Sequence, residues 1–123
     1  MSRPNIEQID GVPVAHIKED IDAANAAAIL QHLAEALGPD ALSLVVDLSD
    51  TGYIDSAGID MLLRLSDRLD HRRARLILVI PETSQLKRLA MVVGLPEVVT
   101  IRPSLVDAMR ETAKAQAQAA ESR

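Results

Sequence analysis

Cysteine, phenylalanine and tryptophan are absent from this 123-residue sequence, and tyrosine occurs once. Without cysteine the chain has no disulfide framework, no thiolate metal site and no thiol nucleophile. Because hydrophobic residues still make up 48% of the sequence, we expect a core built from Leu, Ile, Val, Ala and Met. A chain of this length suffices for one compact domain with a single core.

Positive charge is also in deficit, with 13 Lys and Arg residues against 18 Asp and Glu residues and a net charge of −5. This balance argues against binding to a nucleic-acid backbone, which requires a basic surface. No apolar run approaches the ~20 residues of a membrane span, and the first residues lack the apolar core of a signal peptide. We therefore expect a cytoplasmic protein that neither binds nucleic acid nor inserts into a membrane.

Short apolar runs alternate with helical patterns along the chain. Two β-like runs, 6–9 and 12–17, flank the hairpin signal Asp10-Gly11, and Pro13 indicates an edge position or the beginning of its strand. Further strands are predicted at 44–48, 75–80 and 98–101, and helices at 23–37 with Asp22 as N-cap, from Ser56, after Thr83 or Ser84, and from Ser104.

This order of elements predicts an α/β fold with right-handed βαβ units and a largely parallel sheet covered by helices. No linker, repeat or low-complexity segment divides the chain. We expect a single domain over residues 1–123 with its core at 6–112. Residues 113–123 are helix-prone but lack an apolar stripe, so we expect them to fray.

The segment from Asp55 to Gly58 lies between the predicted central strand and the apolar helical pattern that begins at Ile59. Ser56 is therefore placed at the positive end of a helix, among unpaired backbone N–H groups, and either Asp55 or Ser56 could be the N-cap. Phosphorylation of such a serine adds a charge of about −1.5 to −2. The nearest following arginine, Arg64, is about two turns along the helix, so we expect an added phosphate to remain unpaired.

Four aspartates surround this segment, namely Asp47, Asp50, Asp55 and Asp60. Carboxylates at the carboxyl end of a parallel strand can hold Mg²⁺ or accept a phosphoryl group. The sequence lacks the acidic pair and the lysine that a phosphoacceptor aspartate of the receiver type requires. Solvated loop carboxylates and a helix cap explain these aspartates more simply, and we predict no metal site and no cofactor.

A serine hydrolase is the other catalytic interpretation of Ser56. The residues around it lack the first glycine of the G-x-S-x-G nucleophile elbow. Nothing in the sequence requires His16, His32 or His71 to reach the serine. We therefore predict no catalytic residue and a protein that is not an enzyme.

The stretch VVDLSDTGYIDSAGIDMLLRL, residues 45–65, resembles the central motif of STAS domains, specifically that of bacterial anti-sigma factor antagonists. In that family a strand of the VxDL type leads into D-S-x-G and a hydrophobic residue. Ile21-Asp22-Ala23 resembles the family's turn into its first helix, and Gly94-Leu95 resembles its C-terminal signature. The likeness covers residues 12–109.

The resemblance implies a STAS-type α/β fold, with a mixed, mostly parallel sheet, an antiparallel edge strand and about four helices packed mainly on one side. It implies that Ser56 is phosphorylated by a partner, an anti-sigma factor with serine kinase activity that supplies the ATP and the catalysis. It also implies that Asp22 and Asp55 lie close to Ser56. Asp60 stands where the family often has a second glycine, which places a carboxylate one turn from the serine.

We expect the partner to bind the N-terminal half of the Ser56 helix and the adjoining loop, at Asp22, Asp55, Ser56, Ala57 and Gly58. The reason is that Ala57 and Gly58 are small and leave the backbone open to close approach. Replacing Gly58 by a bulky residue should then weaken binding and change thermal stability by only a few degrees, under ~1 kcal/mol.

The family's partner-switching scheme gives the expected function. The unphosphorylated antagonist binds the anti-sigma factor and frees the sigma factor, phosphorylation blocks the complex, and a phosphatase restores it. An alternative is a STAS subunit of a lipid-transport ABC complex that docks on its ATPase. A third interpretation, a small-molecule or nucleotide sensor, has only the family fold behind it.

Overall fold

The computed structural model describes residues 4–121. Within them, five strands form one sheet in the order β1-β2-β3-β4-β5. The strands are β1 Asn5–Ile9, β2 Val12–His16, β3 Ser43–Asp47, β4 Arg75–Val79 and β5 Thr100–Arg102. β1 pairs antiparallel with β2 at one edge, and the other neighbours are parallel. The expected mixed sheet with an antiparallel edge strand is confirmed.

Within residues 4–121, four α-helices cover the two faces of the sheet unequally. They are α1 Ala26–Ala36, α2 Ser56–His71, α3 Gln85–Val92 and α4 Leu105–Glu121, and a short 3₁₀ turn, η1, spans Leu95–Glu97. Buried side chains of α1, α2 and α3 form one core cluster with one face of the sheet, while α4 packs on the other face. The prediction that the helices pack mainly on one side is confirmed. None of the helices in residues 4–121 has the length and apolarity needed to cross a membrane.

The hairpin between β1 and β2 follows its sequence signal. Asp10 and Gly11 both have positive φ, 50° and 79°, as a type I′ turn requires. Pro13 lies opposite Gln8 and precedes Val14, where the described pairing with β3 begins. Pro13 was compatible with an edge strand or with the beginning of a strand, and the structure shows the second. β2 is an interior strand, and because Pro13 precedes its pairing with β3, the missing N–H removes no hydrogen bond to β3.

Two predicted element starts are wrong by two residues or more. α1 begins at Ala26 and its N-cap is Asn25, because Asp22 caps a preceding turn instead, with its Oδ1 accepting from Ala24 N at 2.9 Å. β5 begins at Thr100, two residues later than predicted, because the backbone N–H groups of Val98 and Val99 both donate to Leu95 O and close the turn after η1. Residues 113–121 are helical to the end of α4, and their fraying stays a prediction. Residues 122 and 123 lie outside the described part.

Candidate functional site

Ser56 is the first residue of α2, and its side chain is exposed. It follows the buried central strand β3 and the loop after it, as predicted. Of the two possible N-caps, Asp55 is the one used, since its Oδ1 accepts from Gly58 N at 3.1 Å. Within residues 4–121 the Ser56 hydroxyl has no hydrogen-bond partner. The hydroxyl is therefore free to meet a partner at the positive end of the helix.

A short backbone bridge fixes the entry into α2. Ile21 N donates to Tyr53 O at 2.9 Å, and Asp55 N donates to Ile21 O at 3.1 Å. Together they form an isolated parallel bridge between Ile21 and Ile54, whose side chains are both buried. Asp22 directly follows this bridge, so its loop lies beside Asp55 and Ser56. The loop positions expected from the resemblance are thus brought together.

Gly58 lies underneath this surface and not on it. The residue is buried, and a Cβ there would overlap Ile54 Cγ2 and come within 3.0 Å of Ile21 Cγ2. The expectation that Gly58 leaves the helix backbone open to a partner is therefore wrong. Its role in the structure is to let the first turn of α2 approach the bridge closely.

Asp60 forms an ion pair with Arg64, so its negative charge is partly balanced. Its Oδ2 accepts from Arg64 Nε at 2.7 Å, and the two side chains are 60% and 67% exposed. An exposed pair of this kind contributes only about 0.2–1 kcal/mol to stability. It does, however, direct the Arg64 guanidinium towards Asp60, so Arg64 is already paired.

Three of the four aspartates of this region have separate partners. Asp47 bonds to His16 and Ser49, Asp55 caps α2, and Asp60 pairs with Arg64. Among residues 4–121, no group of three or more His, Asp or Glu side chains has the arrangement to hold a metal ion. The magnesium interpretation therefore finds no support in the geometry of these side chains.

A hydrogen-bonded network that the sequence did not reveal joins three strands. The His16 ring lies between Glu7 Oε1 at 2.7 Å and Asp47 Oδ2 at 2.8 Å. Burial lowers the pKa of His16, but its hydrogen bonds to Glu7 and Asp47 outweigh this, and the pKa is raised above 6.5. For Asp47 the two causes also oppose each other. Burial raises its pKa, but hydrogen bonds from Ser49 and His16 outweigh burial and bring the pKa below its usual range.

The His16 network predicts a pH dependence of stability. Because the folded-state pKa is raised, the network contributes stability fully below the unfolded-state pKa of about 6.5, and this contribution is lost as the pH rises through the folded-state value. The denaturation midpoint should therefore decrease as the pH is raised from about 6 to about 8. His16→Gln should flatten this part of the profile, whereas His32→Gln, in α1 outside the network, should not. An unchanged profile in His16→Gln would show that the histidine contributes no such linkage.

A groove between α1 and α2 opens beside Ser56. Its volume is about 290 Å³, and it is lined by Ala23, Ala26, Ala27, Leu30, Ala57, Asp60, Met61 and Arg64. Most of this lining is apolar, and Ala57 directly follows the serine. The sequence predicts residues 23–37 only as a helix, and that prediction does not reveal their contribution to this surface. The groove is suited to receive an apolar side chain from a protein that binds next to Ser56.

Comparison with known proteins supplies the family. The family model of the STAS domain matches residues 3–108. A search of curated proteins found no match. Among solved structures, the chain is similar to an anti-sigma factor antagonist from Mycobacterium paratuberculosis, with 24% identity, a TM-score of 0.79, and 89% of this chain and 92% of that chain covered.

Two further solved structures have the same fold. One is an anti-sigma-factor antagonist (STAS) domain protein from Planctomyces limnophilus, with 17% identity, a TM-score of 0.75, and 91% and 98% of the two chains covered. The other is phosphorylated SpoIIAA of Bacillus, with 15% identity, a TM-score of 0.65, and 88% and 97% covered. At such identities the likeness shows the fold alone, whereas the family model spans most of the sequence. The chain belongs to the STAS domain family.

Proposed function

We propose that this protein is an anti-sigma factor antagonist that binds an anti-sigma factor with serine kinase activity. Phosphorylation of Ser56 by that factor ends the binding, and a phosphatase restores it. The observation that carries this proposal is the exposed Ser56 hydroxyl, which has no hydrogen-bond partner in the described part of the chain, beside an open apolar groove. The class of partner is supported by structural neighbours that are anti-sigma factor antagonists. The protein acts in the cytoplasm by binding, without a cofactor of its own.

The proposed partner surface has Ser56 at its centre. Asp55 and Ala57 adjoin it in sequence, the loop of Asp22 is held beside them by the Ile21–Ile54 bridge, and the groove between α1 and α2 continues the surface from Ala57. Gly58 supports this surface from below by setting the distance between α2 and the bridge. A partner helix or loop that covers the serine would bury the hydroxyl and an apolar side chain in the same contact.

The charges around Ser56 explain why phosphorylation would end partner binding. A phosphate on the free protein gains from the N-terminus of α2 and keeps its water. It also stands near the carboxylates of Asp55 and Asp60, and Arg64 is already paired with Asp60. A docked partner would therefore have to remove water from a phosphate charge that Arg64, paired with Asp60, does not neutralise.

The proposed function can be tested by purifying the partner and measuring whether it phosphorylates this protein. Affinity purification from the source organism should recover an anti-sigma factor, and that factor should transfer phosphate from ATP to the wild-type protein. Ser56→Ala should abolish the incorporation, whereas Ser49→Ala, at an exposed serine in the preceding loop, should not. Recovery of an ABC ATPase and its permease, with no kinase, would contradict the proposal and favour the transport alternative.

A further inference from the structure

The structure leaves an aliphatic surface uncovered along α3 and the turn that follows it. Met91, Val92, Val93 and Val98 are 57%, 78%, 48% and 59% exposed, and we call these four residues the α3 patch. Val92 is the last residue of α3, and Val98 directly follows η1, which contacts α3. Clustered apolar surface of this kind is unfavourable in water and is typical of interaction sites.

The two ends of the α3 patch carry opposite charges. β4 and β5 are parallel neighbours, so α3 and η1 return the chain from the carboxyl edge of the sheet to its amino edge. Arg88, one turn before Met91 and Val92, lies towards the carboxyl edge, and Glu97 in η1 lies towards the amino edge. Both side chains are exposed, and neither has an ion-pair partner within residues 4–121.

An open groove adjoins the basic end of the α3 patch. Its volume is about 800 Å³, and Ser84, Lys87, Arg88 and Met91 contribute to its lining. Lys87 is paired with Glu82 at 3.6 Å, so among the described residues that line this groove Arg88 is the cation left available. The groove is large enough to receive a short, partly apolar segment that carries a carboxylate.

We propose that the α3 patch is a self-association surface to which a second copy of this chain docks with two-fold symmetry. A two-fold interface joins the same surface of both copies, so that surface must complement itself. Antiparallel alignment places Arg88 of each copy beside Glu97 of the other and buries the valines between them. The η1 turn of each copy then enters the groove of the other. A partner of one charge sign would match only one end, which is why the second copy is favoured.

The size of the surface predicts a weak dimer. Stable interfaces bury about 800 Å² on each partner, and four aliphatic side chains with their charged ends provide less than that. We therefore expect the dimer at concentrations of about 100 μM and above. This association does not depend on phosphorylation of Ser56, so it can fail or succeed independently of the proposed function.

Sedimentation equilibrium of the purified chain tests the proposal. The average mass should rise from 13.3 kDa towards twice that value as the concentration increases. Val92→Gln should weaken dimerisation by at least about tenfold, because it places an amide in the apolar contact. Val106→Gln is the matched control, since Val106 is 63% exposed on α4 at the other face of the sheet, and it should dimerise like the wild type.

Exchanging the charges of Arg88 and Glu97 tests whether the molecule that docks on the α3 patch is a second copy of this chain. Arg88→Glu and Glu97→Arg should each weaken the dimer, by about three- to tenfold, because each brings like charges together. The double variant should recover wild-type affinity, because the exchanged residues meet again across the two-fold axis. A mass of one chain at every concentration would overturn the proposal and leave the α3 patch to a different protein. A dimer that is insensitive to Val92→Gln, or a double variant no better than the single ones, would overturn it equally.

Discussion

Phosphorylation of Ser56 should weaken binding to the anti-sigma factor by at least about a hundredfold, or ~2.7 kcal/mol. In the complex the serine side chain would be desolvated at the N-terminus of α2. A phosphate in that position would be buried near Asp55 and Asp60, and the Arg64 that could balance it is paired with Asp60. Titration calorimetry of the unmodified and the enzymatically phosphorylated protein measures this difference.

The variants of Ser56 separate the effect of charge from the loss of the hydroxyl. Ser56→Ala should bind and resist phosphorylation, whereas Ser56→Asp should bind poorly, although its smaller charge makes it an imperfect mimic. Ala28→Asp adds the same charge to an exposed position of α1 that does not line the groove, and it should bind like the wild type. The free phosphoprotein should be no less stable, since the helix N-terminus contributes about 0.3–1 kcal/mol. Equal affinity in all forms would reduce Ser56 to an ordinary surface residue.

Gly58→Val should destabilise the fold by about 3 kcal/mol, well beyond the few degrees expected from the sequence. The new side chain would have to displace the branched Ile54 and Ile21, which are buried in the core and cannot move aside cheaply. Thermal or urea denaturation measures the loss. Gly38→Ala is the control, because a Cβ there meets no atom within 4 Å, and its stability should change by less than about 1 kcal/mol.

A double-mutant cycle locates the cause of that destabilisation. Ile54→Ala removes the methyl group that a Cβ at residue 58 would overlap, so Ile54→Ala and Gly58→Ala combined should cost less than the sum of the two single changes. Additive costs would mean that Gly58 is not constrained by Ile54. Because the bridge also positions Asp22 beside Ser56, Gly58 variants should lose partner binding only to the extent that they disturb this packing.

The location of Ser56 could be predicted because its signals are local. An apolar strand, a capping aspartate and helical spacing of apolar residues follow one another within about twenty positions, and each reports on its own neighbourhood. The same holds for the hairpin at Asp10-Gly11 and for the Ser104 cap of α4, whose Oγ accepts from Asp107 N at 3.2 Å. Propensity and periodicity were therefore sufficient for the order of the elements.

The features that escaped prediction depend on distant residues. Gly58 looked like an opening in the surface, and only the Ile21–Ile54 bridge shows that it is a point of close packing. His16 meets Asp47, 31 positions away, and no local pattern announces that contact. Asp22 failed as a helix cap because its carboxylate is used one turn earlier, a choice between two local partners that sequence alone does not decide.

Displacement of a sigma factor from its complex with the anti-sigma factor tests the account most directly. A fluorescently labelled sigma factor bound to the anti-sigma factor is titrated with this protein, and its release is followed by anisotropy. The unmodified protein should release the sigma factor, and the same protein phosphorylated at Ser56 should not do so at the same concentrations. Release by both forms would contradict the switch, and release by neither would contradict the proposed function itself.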